Sequence, residues 1–335
     1  MIHQARSGSY SRPDPKVAVP YLFGVACGGH IPAHIPGGRA SRALWLAFLL
    51  VLGGVFLNQA IEWPWEGMRY AIDGVDAEVK GTKVWSHMGI KRIAGFSRSS
   101  YDAAVAIALL AVALIAARDR LMTSVAVLGL AASAAVVTTT KGILLNLAFI
   151  SVIVVSRAFS PKVASRFLIP AMSALLVGAV VLLPLSSLGG TPLLDTSTDD
   201  RQFFLKSMND RMESCWPAAL DLITDDGNLL SGRGLGGLGI PQLYYETNNY
   251  NPCDSLSIFL LGNYGIFSLF VLPLFALEVA FLARCEGSFA LLLSLSGLLI
   301  LAYGMTSNVI ENPFLALLAG LVMSRTSLPA TTPSV

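Results

Sequence analysis

Charge is scarce in this chain. Only 13% of its 335 residues are Asp, Glu, Lys or Arg, while 54% are hydrophobic. A soluble domain carries about 25% charged residues. Half that proportion cannot clothe a water-facing surface of this size, so most of the chain is expected to face lipid. Cysteine and histidine are equally sparse, at four each. No Cys-x-x-Cys pair and no histidine cluster accompanies the cysteines, so no metal site is expected. A formal net charge of +2 gives no basis for a nucleic-acid partner. No charged-then-apolar leader with a small-residue cleavage site opens the chain.

Long apolar runs take up the space that charge leaves. Crossing roughly 30 Å of hydrocarbon as a helix needs about 17–25 apolar residues. Runs of that kind occupy 43–61, 101–117, 121–137, 142–157, 167–188, 257–283, 288–305 and 310–324. They predict an all-α integral membrane protein with about eight transmembrane helices, one medium external loop (62–100) and one large one (189–256). The membrane domain covers 43–325, between an N-terminal segment (1–42) and a tail (326–335). The stretch 17–36 is broken by Pro20, Pro32, Pro36 and paired glycines, and reads as interfacial or irregular.

Short connections carrying Arg118 and Arg120, then Arg157, Lys162 and Arg166, then Arg284, and finally Arg325 fall on one side with Arg39 and Arg42. That side is expected to be cytoplasmic, with both termini. The spans hold few ionisable groups: Glu278 is the main one, and Asp102 and Glu311 sit at ends. Ion-coupled transport needs acids, bases or broken helices near mid-membrane, and that signature is weak. The polar chemistry gathers on the outer loops.

Trp63 and Trp65 follow the first span, where an aromatic belt and a sugar-stacking platform both fit. His87 lies in the same loop, as ordinary surface or as a proton carrier. Lys91, Arg92 and Arg98 precede the second span. They read either as a basic patch at lipid headgroups or as a phosphate site, since guanidinium matches phosphate oxygens bidentately. Lys141 opens a span after three threonines. It can snorkel to headgroups, or form an anion site among hydroxyls at a helix N-terminus. Phe204, Met208, Met212 and Trp216 recur every four residues, which predicts an amphipathic helix. It would lie on the membrane with Arg201 and Arg211 on its polar face, and Pro217 would stop it or start a second short helix. Asp254 opens the sixth run, as a helix N-cap, a catalytic carboxylate or both. Cys215 and Cys253 share the large loop, bridged or free.

"SGRGLGGLGIPQ" (231–242) contains Gly-x-Gly-x-x-Gly twice. A dinucleotide site requires a strand before and a helix after this pattern, whereas here "TDDGN" precedes it and Pro241 follows. The glycines are instead expected to allow close backbone approach and to expose N–H groups near a phosphate or glycan, with Gly234 and Arg233 as contacts.

In order, "RIAGF", "TTTKG", "RMESCW…LLSGRGLGGLG", "CDSLSIFLLGNYGIF" and "SNVIENPFLALLAGL" resemble the superfamily of bacterial O-antigen ligases, O-antigen polymerases and exopolysaccharide polymerases. The likeness covers about 85–325, although members usually carry several more spans ahead of the first run. It implies a GT-C-like helical fold in the bacterial inner membrane and a metal-independent, cofactor-free, inverting glycosyltransferase. The implied donor is an undecaprenyl-diphosphate-linked oligosaccharide and the implied acceptor a glycan hydroxyl, with a flippase and a chain-length regulator as protein partners. Arg211 and Lys141 resemble the residues that hold the diphosphate, with lysine where arginine is more usual. Asp254 stands where ligases generally carry histidine, which favours a repeat-unit polymerase with Asp254 as base and leaves Asp210 and Glu213 as weaker candidates. Arg92, Arg98, Arg201, Trp216, Arg233 and Gly234 are the expected substrate contacts. Transfer to lipid A-core, and a non-enzymatic transporter or structural subunit, are the alternatives.

Overall fold

The computed structural model describes residues 20–22, 24–26, 38–72, 75–80, 82, 86–87, 90–118, 120–187, 206–225, 229–242 and 246–324. Helix α1 (Arg39–Ala60) leads into two antiparallel hairpins, β1 (Arg69–Ile72) with β2 (Val75–Lys80) and β3 (Ser86–His87) with β4 (Ile90–Lys91). Then follow α2 (Ser100–Arg118), α3 (Leu121–Val137), α4 (Lys141–Phe159) and α5 (Pro161–Ser186), the last with a π-helical turn at Ala164–Leu168. The outer loop supplies α6 (Trp216–Asp225), and the chain closes with α7 (Leu256–Tyr264), α8 (Val271–Leu282), α9 (Ser288–Gly304) and α10 (Pro313–Met323).

Four helices, α1, α2, α4 and α5, are long and apolar enough to cross a membrane, and shorter apolar helices accompany them. Side chains such as Leu46, Leu50, Met122, Leu175, Leu182 and Phe270 stand exposed around the bundle. Exposed apolar surface on this scale suits lipid and not water, consistent with a multi-pass membrane protein. Helix α9 is the axis. It is buried along nearly its whole length and packs on α2, α4, α5, α8 and α10.

Lipid tails remove the hydrophobic drive between helices, so close approach of small residues carries much of the packing. Ala103, Ala104, Ala108 and Ala111 line the buried face of α2. Gly297 on α9 leaves no room for a Cβ beside Val279, and Gly24 meets Leu317 and Gly320 of α10 in the same way. Residues 20–22 and 24–26 are thus helical and packed against α10; the rest of 17–36 lies outside the described residues.

The medium loop carries the two short hairpins. Two expectations need correction. The apolar run 257–283 is not one helix: it breaks at Gly265 (φ 78°), followed by a 3₁₀ turn at Ile266–Phe270. The glycine loop fills that break, with the Ile266 amide donating to the Leu229 carbonyl (2.9 Å) and the Arg233 amide to the Gly262 carbonyl (2.7 Å). Finally, the amphipathic stripe does not lie on lipid. Met212, Trp216, Leu220 and Ile223 bury themselves against Leu238, Cys253, Ile258, Phe259 and Leu261, forming a second core above the bundle. Pro217 does start a new segment. The preceding turn (Arg211–Cys215) widens to a π-helix in which the Trp216 amide donates to the Arg211 carbonyl. The ladder therefore shifts by one residue just before the residue that lacks an N–H.

The two ends of the bundle differ chemically. At one end Arg118 Nε donates to Ser41 Oγ (3.2 Å), with its guanidinium 6.0 Å from the Trp45 ring centre. At the other end stand Arg92, Lys141, Arg211 and Asp254.

Candidate functional site

Local structure aims each of these groups. Arg92 follows β4. Its Nη1 donates to the Tyr101 hydroxyl, and the guanidinium lies 5.3 Å from that ring's centre. The "RIAGF" turn owes its shape to packing: Gly95 has φ 59°, and its amide donates to Asn58 Oδ1 (3.0 Å) against the backbone of Val55. Lys141 is the first residue of α4, whose opening turn rests on Tyr303 and Thr306 through Gly142. Arg211 sits at the start of the π-turn, with Nη1 donating to the Ser207 carbonyl (2.7 Å) and hydroxyl. Its Nη2 pairs with Asp254 Oδ2 at 3.0 Å.

These residues converge from four separate stretches of chain. Lys141 lies within electrostatic reach of both Arg92 and Arg211. Of the three cations, Arg211 is the one paired with the Asp254 carboxylate. Like charges gathered at a partly buried site repel far more than in water, so the arrangement favours an anion. The Nε of Arg92 and that of Arg211 are both buried and have no hydrogen-bond partner among the described residues. Buried donors normally find partners, so these two Nε–H groups stand out.

Asp254 is not the N-cap of α7. That position belongs to Ser255, without a side-chain cap, and the carboxylate is committed to Arg211. Burial pushes the Asp254 carboxyl above the ordinary carboxylate range, and Arg211 only partly opposes that rise. Trp216 is fully buried, and its indole N–H donates to the Asp254 carbonyl (3.2 Å). It therefore acts on Asp254 from beneath and presents no accessible face. Cys215 and Cys253 are free thiols, and burial raises both.

Among the described residues, two non-glycine residues adopt left-handed φ: Thr139 (53°) and Cys253 (47°). Such conformations cost on the order of 1–3 kcal/mol each and cluster at functional sites. One lies two residues before Lys141 and the other immediately before Asp254. The buried Thr139 hydroxyl also lacks a partner among the described residues.

Other predicted contacts lie elsewhere. Lys91 is taken up by Glu66 (2.7 Å) and Glu62 (3.3 Å). Burial tends to raise the Glu66 carboxyl, but hydrogen bonds from Lys91 and Asn58 more than offset this and leave it below the usual range. Arg98 is exposed. Trp63 stacks on Trp65 at 5.3 Å and leans on Phe96 at 4.8 Å. Arg201 lies outside the described residues. Arg233 is held within its own loop by the Gly237 carbonyl and by Glu246 (2.9 Å). Gly234 is exposed with φ 89°.

The loop amides of Gly236, Gly239 and Ile240 are not open to a ligand. They donate to Asn263 Oδ1 (2.9 Å), Gln242 Oε1 (3.2 Å) and Glu311 Oε1 (2.8 Å). The glycines serve backbone shape and close approach; their N–H groups are used within the protein. Tyr101, Asn251, Gln242, Asn263 and Glu311 carry much of the site's architecture, yet none was singled out from the sequence for that role. Nothing local distinguishes a buried amide in "YYETNNYNP" from a turn residue. Among the described residues, no cluster of His, Cys, Asp and Glu could hold a metal.

No family model matches the chain, and neither a curated protein nor a solved structure matches it.

Proposed function

We propose that this protein is a polysaccharide repeat-unit polymerase with a GT-C-like arrangement of about eight spans in a bacterial inner membrane. Arg92, Lys141 and Arg211 bind the diphosphate of an undecaprenyl-diphosphate-linked oligosaccharide at the periplasmic face. The observation that carries this reading is the gathering of Lys141 near Arg92 and Arg211, with Arg211 paired to the Asp254 carboxylate.

The chemistry follows from that placement. The acceptor hydroxyl attacks the anomeric carbon, a new C–O bond forms, and the bond to the phosphate oxygen breaks with inversion. Charge grows on the departing diphosphate, and fixed cations in a partly desolvated site stabilise it, typically the largest contribution such a site can make. The hydroxyl proton passes to Asp254. Without donor, Asp254 is paired with Arg211. A bound diphosphate competes for that guanidinium, and loss of its stabilising charge makes the carboxylate a stronger base. Lys141 contributes a point charge and not a planar fork.

The test is turnover by the purified full-length protein in lipid nanodiscs, supplied with an undecaprenyl-diphosphate-linked repeat unit. Mass spectrometry should detect lengthened lipid-linked glycan and free undecaprenyl diphosphate, both lost in Arg211→Ala. Equal turnover by Arg211→Ala would overturn the assignment.

A further inference from the structure

Arg211 and Asp254 are far apart in sequence, and neither the π-turn nor the segment before α7 holds them together alone. Asn251 joins them. Its Nδ2 donates to the Cys215 carbonyl (2.9 Å), at the end of the turn that begins with Arg211. Its Oδ1 accepts from the Cys253 amide (2.8 Å) and faces Cys215 Sγ (3.7 Å). Its own amide donates to Gln242 Oε1 (3.2 Å), and that oxygen also accepts from Gly239. Gln242 is fully buried and Asn251 nearly so. Three pieces of chain, namely the π-turn, the glycine loop and the Asp254 segment, thus meet at Asn251, the first and last through its carboxamide and the glycine loop through its backbone amide and Gln242.

The backbone shows why a clamp is needed. Cys253, next to Asp254, has φ 47°. Left-handed non-glycine residues persist only where the surroundings over-determine them. The Asn251 Oδ1 bond to the Cys253 amide and the Trp216 bond to the Asp254 carbonyl bracket this residue.

We infer that Asn251 is a positioning residue, which fixes Asp254 against Arg211 by tying the Cys215 carbonyl to the Cys253 amide. The inference rests on the glycosyl-transfer reading for its catalytic consequence, but its structural half can be tested independently.

The experiment uses the full-length protein in nanodiscs as Asn251→Ala and Asn251→Asp. The aspartate retains an acceptor for the Cys253 amide and loses the donor to the Cys215 carbonyl. Two readouts are taken. Peptide-resolved alkylation of Cys253, a fully buried thiol, reports loosening of the segment without any reference to activity. Steady-state transfer from an undecaprenyl-diphosphate-linked repeat unit reports the catalytic consequence. The expected result is Cys253 alkylation at least about tenfold faster in Asn251→Ala, with a smaller rise in Asn251→Asp. Transfer should lose about tenfold or more in kcat in Asn251→Ala while donor KM moves less than about threefold, because a small misplacement of the base affects the transition state more than binding. Wild-type alkylation in both variants would overturn the clamp. Faster alkylation with unchanged kcat would overturn the positioning role. Faster alkylation in a protein whose wild type shows no transfer would count against the glycosyltransferase reading and leave the clamp standing.

Discussion

Arg211 Nη2 lies 3.0 Å from Asp254 Oδ2, joining two residues that sit on separate pieces of the outer face. Each is given more than it needs for a surface ion pair, which is usually worth about 0–1 kcal/mol. Arg211 is mounted on a π-turn and backed by Ser207; Asp254 follows a left-handed cysteine and is braced by Trp216. That investment in geometry distinguishes the pair from a solvated salt bridge.

Asp254→Asn is expected to insert normally and to lose about 10²–10⁴-fold in turnover, the range typical of a positioned general base. Glycan transfer and membrane yield are measured on the same preparations. Full activity in the asparagine variant would remove Asp254 from the mechanism.

The pH dependence follows from the same carboxylate. A base works only when ionised, so transfer should fall as pH drops through the Asp254 pKa. Burial raises that pKa and Arg211 partly lowers it, so the acidic limb of kcat/KM should lie above the ordinary carboxylate range. Removing the guanidinium in Arg211→Met takes away the lowering influence, and residual activity should show its acidic limb at still higher pH. Arg211 is the charged group that acts on this carboxyl, and the neighbouring Cys215, Tyr250 and Cys253 are raised by burial and in turn by the Asp254 charge. A limb that moves to lower pH in the methionine variant would contradict the pairing.

Lys141 separates charge from geometry. Lys141→Arg keeps the cation and should keep most activity, whereas Lys141→Met should lower turnover by about 10²-fold, comparable with loss of one fixed electrostatic contact. Equal activity in the methionine variant would return Lys141 to a headgroup-snorkelling role.

Much of the scaffold was legible because apolar runs have only one way to satisfy their backbone in lipid, as helices. The limits expected for 121–137 coincide with α3, and 288–305 ends one residue beyond α9. The break at Gly265 was not legible. Residues 257–283 are apolar on both sides of it, and the cause lies in the distant carbonyl of Leu230, which fills the space of a Cβ. Arg92, Lys141, Arg211 and Asp254 were each legible as charged residues in the outer loops or at the start of a span, but their assembly depended on tertiary packing. The roles expected of Trp216 and the loop amides differed for one reason: burial and internal partners, which sequence spacing does not encode, had already claimed their polar groups.

Three glycines in different settings provide a stability series. At Gly265 a Cβ would collide with the Leu230 carbonyl in a backbone at φ 78°, so Gly265→Ala should cost about 3 kcal/mol or more. Gly234 has φ 89° but open space, and Gly234→Ala should cost only about 1–2 kcal/mol. Gly178, in α5 with nothing within 4 Å, should tolerate alanine or gain slightly from it. Thermal unfolding in nanodiscs orders the three variants, and a Gly265→Ala protein as stable as wild type would contradict the broken helix.

The most direct measurement is the lipid-linked glycan content of a strain in which this gene is deleted, complemented with wild type or with Arg211→Ala. A polymerase requires a single undecaprenyl-linked repeat unit to accumulate in the deletion strain and in the Arg211→Ala strain, and to disappear with wild type. Accumulation of long lipid-linked polymer would instead indicate a ligase. Normal glycan in the deletion strain would contradict glycosyl transfer altogether.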